Sequence, residues 1–410
     1  MFLLEINILE NIKNKYGSPV YVFEEERFIN NFNKLSNAFR NIYSNYIIGY
    51  SYKTNYTPYI CNIVKDLGGY AEVVSDMEYE LAKKLGYKND KIIYNGPCKG
   101  VALEEHILNG GICNVDNLDE AKRIVKIAND NPKITIDVGI RLNIDIGAGY
   151  ISRFGIEDDE KKFQEIISTF NKKDNISIVG LHCHISRARG IEAWKQRIDK
   201  LIDIADKYLD NIPRYIDVGS GMFGEMDESL AEQFDIHIPN YDEYAEIVAG
   251  AMKKKYGDTK ESPMLISEPG TTVVANYLSL ITTVDNIRET RGKKFVTVDA
   301  SYYNTGEICL IKKLPYLVLR NGHSVEKKDN VIKDIMGYTC LEQDCIYKEF
   351  NGEIQEGDNI VFGNLGGYSI VSKPPFIRPN CAMVSYTKEN KIIEIKREET
   401  FDDIFTTFRF

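Results

Sequence analysis

The stretch YIIGYSYKTNYTP, residues 46–58, contains the pattern from which the fold is predicted. Apolar and aromatic residues typical of a buried strand lead to Lys53, and a turn containing Pro58 follows. A lysine at the end of a buried strand either extends its amine to solvent or is held in a pocket because the amine does chemistry. Similar short stretches recur along the chain, at 70–74, 91–95, 112–115, 135–142, 178–185, 214–218 and 264–267.

Amphipathic helical patterns lie between these predicted strands. Apolar residues repeat at helical spacing over 76–86, 118–128 and 190–209. Because eight strands alternate with helices in series, the sequence predicts an α/β fold with a parallel, TIM-like (β/α)8 barrel.

The pattern changes after about residue 271, where period-two stretches separated by turn residues predict an all-β domain. SPVYVF, residues 18–23, is a further predicted strand with no barrel strand before it, so we expect it to join this β-domain. We therefore predict a barrel over 26–271 and a β-domain formed by 1–25 and 272–410.

Composition excludes several classes of protein. The 410 residues are 43% hydrophobic and 27% charged, as in a soluble globular enzyme, and the net charge is −10. The acidic balance provides no general basic field for nucleic acid or anionic lipid. No run of about 18 apolar residues and no clean signal-peptide core is present, so we expect a cytoplasmic protein without a membrane partner. The eight cysteines show no zinc-binding spacing, and we predict no metal.

Several side chains are predicted to meet where the barrel strands end, which is the face that carries the site in such barrels. They are Lys53, Glu72, His184, Glu268 and the glycine-rich stretch DVGSGMFG, residues 217–224. Singly, each has a plainer interpretation, such as a solvated charge, a core histidine or a tight turn. Together they match the needs of pyridoxal phosphate: a lysine for the aldehyde, backbone amides for the phosphate, a carboxylate for the ring nitrogen and a flat group against the ring.

The chain resembles the fold-type III pyridoxal-phosphate decarboxylases, the group of diaminopimelate, ornithine and arginine decarboxylases that share their architecture with alanine racemase. Motifs similar to those of the family occur in order over nearly the whole length. They include YGSPVYVFEEERF (16–28), YSYKTN (50–55), IIYNGPCKG (92–100), RLNIDIGAGYISRFGI (141–156), GLHCHIS (180–186), SEPG (267–270), GYTCLEQD (337–344) and GDNIVFGNLGGYS (357–369).

The resemblance implies a role for each residue at the strand ends. Lys53 corresponds to the lysine that bonds to the cofactor's aldehyde, and His184 to the residue that stacks on the pyridine ring. Glu268 corresponds to the partner of the ring nitrogen. Glu72 matches an acidic position behind the cofactor.

The resemblance also implies that Gly219, Ser220 and Gly221 bind the phosphate, with help from Tyr368. Cys340 is similar to a cysteine that the family supplies from the partner subunit, and it would be the proton donor to Cα, with the released Lys53 as the other candidate. This implies a head-to-tail homodimer with two shared sites acting on a small amino-acid substrate.

The chain departs from the family at positions that bear on phosphate and substrate. Thr271 replaces a usual arginine on the phosphate, and Arg187 either compensates for it or faces the substrate. Ser220 replaces a glycine. Diaminopimelate and ornithine enzymes have an acid directly after the cysteine, where this chain has Leu341, although Glu342 follows. Because an unpaired charged group would cost about 1–3 kcal/mol, we expect a non-standard substrate.

Three other functions remain open. Loss of the acid after the cysteine is also found in decarboxylases of siderophore, antibiotic or polyamine biosynthesis. An amino-acid racemase resembles this chain too, but it places an arginine where Glu268 stands. An inactive regulator that binds pyridoxal phosphate usually loses the lysine or the cysteine, and both remain here.

Overall fold

The computed structural model describes residues 4–147, 149 and 151–410, with only the backbone of Glu160; residues 1–3, Ala148 and Tyr150 of the stretches considered above lie outside it. The strands are β1 (Val20–Glu24), β2 (Tyr46–Ser51), β3 (Tyr70–Val73), β4 (Ile92–Tyr94), β5 (Ile112–Val115), β6 (Ile136–Asn143), β7 (Ile156–Glu157), β8 (Ile176–His182), β9 (Tyr215–Asp217), β10 (Met264–Ser267), β11 (Leu278–Thr290), β12 (Lys293–Val298), β13 (Tyr316–Arg320), β14 (His323–Ser324), β15 (Lys328–Met336), β16 (Cys345–Gly352), β17 (Asn359–Phe362), β18 (Ala382–Tyr386) and β19 (Ile392–Lys396).

The α-helices are α1 (Ile6–Tyr16), α2 (Glu25–Arg40), α3 (Pro58–Asp66), α4 (Asp76–Lys84), α5 (Ala102–Leu108), α6 (Leu118–Asp130), α7 (Glu160–Phe170), α8 (Ile191–Tyr208), α9 (Glu228–Ala231), α10 (Tyr241–Tyr256), α11 (Thr271–Val274), α12 (Tyr302–Thr305), α13 (Ile308–Ile311) and α14 (Phe401–Phe405). Single 3₁₀ turns lie at Tyr52–Thr54, Asn89–Lys91 and Ala275–Tyr277. Among the described residues, none of these helices combines the length and the apolar character needed to cross a bilayer.

The chain divides into two compact units. The barrel unit contains 31–223 and 236–272, and the sheet unit contains 1–30, 224–235 and 273–410. The division differs from the predicted boundaries, since 26–30 and 224–235 go with the sheet unit.

The barrel unit is a closed parallel barrel, as the sequence predicted. Its eight strands follow the order β2-β3-β4-β5-β6-β8-β9-β10, and β10 pairs with β2 to close the ring. The short strand β7 adds to β6. The carboxyl ends of all eight strands therefore meet on one rim.

Tyr215 fills the interior of the barrel where two glycines make room for it. Gly139 of β6 pairs with Gly180 of β8, and Gly180 pairs with Tyr215 of β9. A Cβ atom at Gly139 would lie 2.0 Å from the Tyr215 hydroxyl oxygen, and one at Gly180 would lie 2.3 Å from Cζ of its ring. The hydroxyl donates to Asn114 Oδ1 at 2.8 Å, so the ring has a fixed position.

The sheet unit is built on a mixed sheet in the order β14-β13-β17-β11-β1-β18-β19. β1, formed by the SPVYVF stretch, runs antiparallel to β11 and parallel to β18. The second half of β11 pairs with β12, and β12 leads on to β15 and β16. Helix α1 packs against one face of this sheet and forms a hydrophobic core with β1, β11, β17 and β18. The buried residues of this core include Leu9, Ile12, Val20, Val22, Ile281, Val361 and Val384.

Candidate active site

The lysine of the opening stretch lies beside a buried carboxylate on the barrel rim. Lys53 belongs to the single 3₁₀ turn after β2, and Glu72 is the third residue of β3. Lys53 Nζ donates to Glu72 Oε2 at 2.6 Å and to Ser51 Oγ at 2.7 Å, and Ser51 Oγ donates to the same carboxylate oxygen. The register explains this arrangement, because Ser51 pairs directly with Glu72 across the two strands.

Asn95 joins this carboxylate to a second one on the rim, Glu268, which follows the strand on the other side of β2. Asn95 itself follows β4 and is 2% exposed. Its Nδ2 donates to Glu72 Oε1 at 3.1 Å and to Glu268 Oε1 at 2.5 Å, while its Oδ1 accepts from Asn114 Nδ2 at 2.9 Å. One amide thus donates to two carboxylates.

Glu268 follows β10 and meets the last residues of the two preceding strands. His182, which ends β8, donates from Nε2 to Glu268 Oε2 at 3.1 Å. Asp217 ends β9, pairs with His182 in register, and has a carboxylate oxygen within 4.8 Å of ligand atoms of His182 and Glu268. All three are buried.

The two carboxyl groups titrate in opposite directions. Burial and the adjacent Glu268 raise the pKa of Asp217 well above its usual range. Burial also acts to raise the pKa of Glu268, but His182, Lys53 and the hydrogen bond from Asp217 outweigh it, and the pKa falls below its usual range. We conclude that Glu268 is the anion and that Asp217 carries the proton of the pair.

The glycine-rich turn after β9 presents backbone toward the rim. Gly219 has φ +58° and Gly221 has φ +108°, whereas Ser220 between them does not have a positive φ. Cβ atoms there would lie 2.7 Å from His184 Cβ and 2.5 Å from the carbonyl oxygen of Ile185, so both positions exclude side chains. Ser220 is 3% exposed and its Oγ has no hydrogen-bond partner among the described residues.

His184 is fixed to the same turn. Its Nδ1 accepts from the backbone N–H of Ser220 at 3.1 Å. Burial, followed by the nearby charge of Lys53, lowers the pKa of His184 well below its usual range. The ring is therefore neutral, with its proton on Nε2.

A fully buried arginine holds the two loops together. Arg197 of α8 donates from Nη1 to the carbonyls of Val218 and Ser220, both at 2.9 Å, and from Nη2 to that of Ile185 at 3.0 Å. Its guanidinium lies over the ring of Trp194 at 4.1 Å. The positions of the glycine turn and of His184 therefore depend on a helix behind the rim.

A cavity of about 780 Å³ opens beside His184 within the barrel unit. Its walls come from the end of β6, the segment between β6 and α7, and the loop after β8, and they include Leu142, Asn143, Asp145, Phe154, Glu157, Asp158 and Ile185. Arg187 is exposed on the neighbouring segment between β8 and α8, and its predicted role in binding phosphate or substrate stays a prediction.

The remaining predicted site residues belong to the sheet unit. GYTCLEQD forms the turn between β15 and β16, with Cys340 and Glu342 exposed and Leu341 half-buried. Asp344 orders this turn, because its Oδ2 accepts from the Thr339 hydroxyl at 2.6 Å and from the Thr339 backbone N–H at 3.1 Å.

Tyr368 lies on another loop of the sheet unit. Its φ is +59° and its side chain is 42% exposed. Its predicted contact with the phosphate stays a prediction.

Two details of the predicted barrel site were wrong. Lys53 and His184 were expected at the ends of strands, but β2 stops at Ser51 and β8 stops at His182. In each case the chain has already left the sheet, and the side chain is held by a short turn or a loop.

The sequence analysis also missed four residues that shape the site. These are Asn95, His182, Asp217 and Arg197. Asn95 and Asp217 occupy strand ends on the functional rim, which is a usable signal. Arg197 lies at a core-facing position of its helix, between Trp194 and Leu201, where a charge needs buried partners.

Comparison with known proteins identifies the family of this chain. Residues 28–275, more than half of the chain, match the family described as pyridoxal-dependent decarboxylase, pyridoxal binding domain. The diaminopimelate decarboxylase of Methanocaldococcus jannaschii is 26% identical over 412 residues, covering 96% of this chain and 91% of the relative. A crystal structure of the M. jannaschii enzyme has a TM-score of 0.84 at 24% identity, covering 98% of this chain and 94% of that one. The Helicobacter pylori enzyme complexed with L-lysine has a TM-score of 0.82 at 24% identity, covering 97% and 98%.

The chain belongs to the pyridoxal-dependent decarboxylase family. The predicted family and fold class are confirmed. It is a carboxy-lyase that acts on an amino acid, as the sequence analysis predicted.

Proposed function

We propose that this enzyme removes the α-carboxylate of an amino acid that carries a distal group different from that of diaminopimelate, using pyridoxal phosphate bound at the barrel rim. The observation that carries the proposal is the pair of buried carboxylates on the rim, one against the amine of Lys53 and the other facing the site as an anion.

The residues present fit the phosphate of this cofactor. Gly219 and Gly221 keep side chains out of the turn, and the buried Ser220 hydroxyl has no partner among the described residues. A phosphate oxygen would provide that partner, since phosphates bind well to backbone amides and hydroxyls at such turns.

The residues also fit the ring and the aldehyde. Lys53 provides an amine, His184 a neutral flat ring, and Glu268 an anionic partner for a ring nitrogen. When bound, pyridoxal phosphate supplies an aldehyde that condenses with amines and an electron-poor ring that accepts the electron pair left when CO2 departs.

Glu72 orients the amine of Lys53. Its Oε2 accepts from Nζ, and Ser51 accepts from the same amine, so two of the three ammonium hydrogens are directed. Held by Glu72, the Lys53 amine would be placed to hold or deliver a proton at Cα of a bound substrate.

Cys340 is the second candidate for proton delivery to Cα, and the resemblance places it on the partner subunit. An exposed thiol on a turn ordered by Asp344 suits a residue that completes a neighbouring site. The enzyme is then a head-to-tail homodimer with two shared sites.

The proposed substrate follows from the residue after this cysteine. A free distal ammonium or carboxylate would lack its usual partner at Leu341, at a cost of about 1–3 kcal/mol. Diaminopimelate itself is the second candidate, favoured by the names of the relatives.

A panel of substrates tests the proposal. CO2 release would be measured from meso-diaminopimelate, lysine, ornithine, arginine, carboxynorspermidine and amino acids conjugated to a larger acyl group. We expect kcat/KM for a conjugated or extended substrate to exceed that for diaminopimelate by about tenfold or more. Diaminopimelate as the best substrate would show that Leu341 does not select against it.

Mixing two inactive variants tests the shared site. Lys53→Ala and Cys340→Ala homodimers would be combined, denatured mildly and allowed to exchange subunits. Random exchange makes half of the dimers mixed. If each site takes one residue from each subunit, one of the two sites in a mixed dimer is intact, so about a quarter of wild-type activity should return. No recovery, with exchange verified by mass, would place both residues in one subunit.

A further inference from the structure

Both oxygens of Glu268 are bound by buried hydrogen-bond donors. Oε1 accepts from Asn95 at 2.5 Å and Oε2 accepts from His182 at 3.1 Å. Asn95, His182 and Glu268 are exposed by 2%, 1% and 3%, so water does not substitute for either donor.

The hydrogen-bond network fixes the orientation of the Asn95 amide. Its Oδ1 accepts from Asn114 Nδ2, and Asn114 Oδ1 accepts from the Tyr215 hydroxyl at 2.8 Å. An amide flip would set Oδ1 of Asn95 against two carboxylates. Asn95 therefore always presents its N–H groups to Glu72 and Glu268.

The contacts of His182 fix its tautomer. The bond to Glu268 requires a proton on Nε2, and the buried Nδ1 has no partner among the residues that the structure describes. A second proton on Nδ1 would be buried without an acceptor. His182 thus directs its Nε2 proton at one oxygen of Glu268.

Asp217 lies next to the same carboxylate, with ligand atoms of Asp217, His182 and Glu268 within 4.8 Å of one another. Its Oδ1 accepts from the backbone N–H of Gly219 at 2.8 Å, and its Oδ2 has no hydrogen-bond partner among the described residues. A carboxylate that accepts from several donors holds its charge more strongly.

We propose that His182 is a positioning residue for the reaction: together with Asn95 it holds Glu268 as an anion through hydrogen bonds to both of its oxygens, so that a proton shared between Glu268 and the cofactor's ring nitrogen stays on the nitrogen. This inference rests on the proposed function. A buried carboxylate without donors would take up a proton, and the ring would then lose the positive charge that makes it an electron acceptor.

Two variants of matched polarity separate this role from simple packing. His182→Gln places an amide N–H near the original Nε2, whereas His182→Asn places it near Nδ1 and leaves Glu268 Oε2 without its donor. Each apo-protein would be titrated with pyridoxal phosphate and with 1-deazapyridoxal phosphate, in which C–H replaces the ring nitrogen. Because both ligands are measured on one preparation, partial unfolding cancels in the ratio of the two affinities.

We expect the wild type and His182→Gln to prefer pyridoxal phosphate over the deaza compound by the same ratio, and His182→Asn to reduce that ratio about tenfold. Cofactor labelled with ¹⁵N at the ring, observed by NMR, should report a protonated nitrogen in the first two proteins and a largely unprotonated one in His182→Asn. In a Glu268→Gln background His182→Asn should not change the ratio further.

Equal weakening of both ligands in His182→Asn, or an unchanged ratio, would overturn the inference and leave His182 a packing residue. Wild-type protein that binds neither ligand would instead contradict the proposed function, so the two failures are distinguishable.

Discussion

Two carboxylates on the barrel rim, Glu72 at β3 and Glu268 after β10, flank β2, are equally buried and share the amide of Asn95, yet their other partners differ. Glu72 is 1% exposed and pairs with the ammonium of Lys53 at 2.6 Å. Glu268 is 3% exposed and accepts from His182. The difference shows that burial alone does not set the role of a carboxylate.

The partners explain what each group is suited to do. A carboxylate paired with a movable cation holds that cation in place and releases it when a substrate competes. A carboxylate that accepts from fixed hydrogen-bond donors keeps its negative charge, and that charge can interact with a ligand. Glutamate therefore has two uses at this rim: Glu72 positions the amine of Lys53, and Glu268 is suited to support an electron-accepting ring.

Removing the amine should have the largest effect. Lys53→Ala should lower CO2 release by about 10⁴-fold or more, because no other group at the Glu72 side replaces the amine. Borohydride reduction of the cofactor-loaded enzyme followed by peptide mapping should label Lys53 in the wild type. Lys91→Ala, which changes an exposed lysine before β4, should retain full activity, and loss of activity there would point to a general effect.

Neutralising the two carboxylates in turn tests the comparison directly. Glu268→Gln should lower kcat roughly 100-fold because it removes the anion beside the ring nitrogen. Glu72→Gln should lower it only about tenfold, since an amide oxygen still accepts from Lys53. Steady-state kinetics of both variants provides the measurement, and equal losses would show that the two sides are not specialised.

A third carboxyl group, Glu78, makes the Glu72 side sensitive to pH. Burial raises the pKa of Glu78 to about 7, with Glu72 contributing in the same direction. The native state then keeps a proton that the unfolded chain loses near pH 4.5, so stability falls as pH rises between these values. Glu78→Gln should remove this loss and gain on the order of 2 kcal/mol relative to wild type between pH 5 and pH 8.

Thermal melts of wild type and Glu78→Gln at the two pH values check the expectation. Glu80→Gln provides the control, because Glu80 lies on the same helix but is exposed. A stability difference between wild type and Glu78→Gln that does not change with pH would mean that Glu78 is ionised throughout.

The smallest effect is expected at the phosphate side of the site. Ser220→Ala should weaken binding of pyridoxal phosphate about fivefold, through one lost hydrogen bond. Binding of pyridoxal, which has no phosphate, should not change. Fluorescence titration of the apo-protein with both compounds distinguishes a lost phosphate contact from a general disturbance.

Much of the barrel was predictable because its signals are local. Strand after strand carries a continuous apolar run that ends in a polar residue, and the lysine, the glycine turn and Glu268 all follow such runs. The rim of a parallel barrel brings strand ends together whatever lies between them, so position along the chain was sufficient to group Lys53, Glu72 and Glu268.

The partners on the rim were not predictable in the same way. The bond between Asn95 and Glu268 joins residues 173 positions apart and depends on the angle around the barrel, which strand patterns do not encode. His182 was not predicted to belong to the site. In a sequence, a histidine that is merely buried in the core cannot be distinguished from one that donates to a functional carboxylate. Within the predicted all-β domain, β15 and β16 had no clear signal in the sequence. Their pairing contains register shifts, which break the alternation of apolar residues.

The packing of Tyr215 against Gly139 and Gly180 links the barrel floor to its chemistry. The phenol is the base of a column that rises through Asn114 and Asn95 to Glu268. A side chain at Gly139 or Gly180 would displace the phenol and, through these hydrogen bonds, Asn114, Asn95 and Glu268. The charge of Glu268 at the rim therefore restricts which residues can occupy two positions that are remote from any ligand.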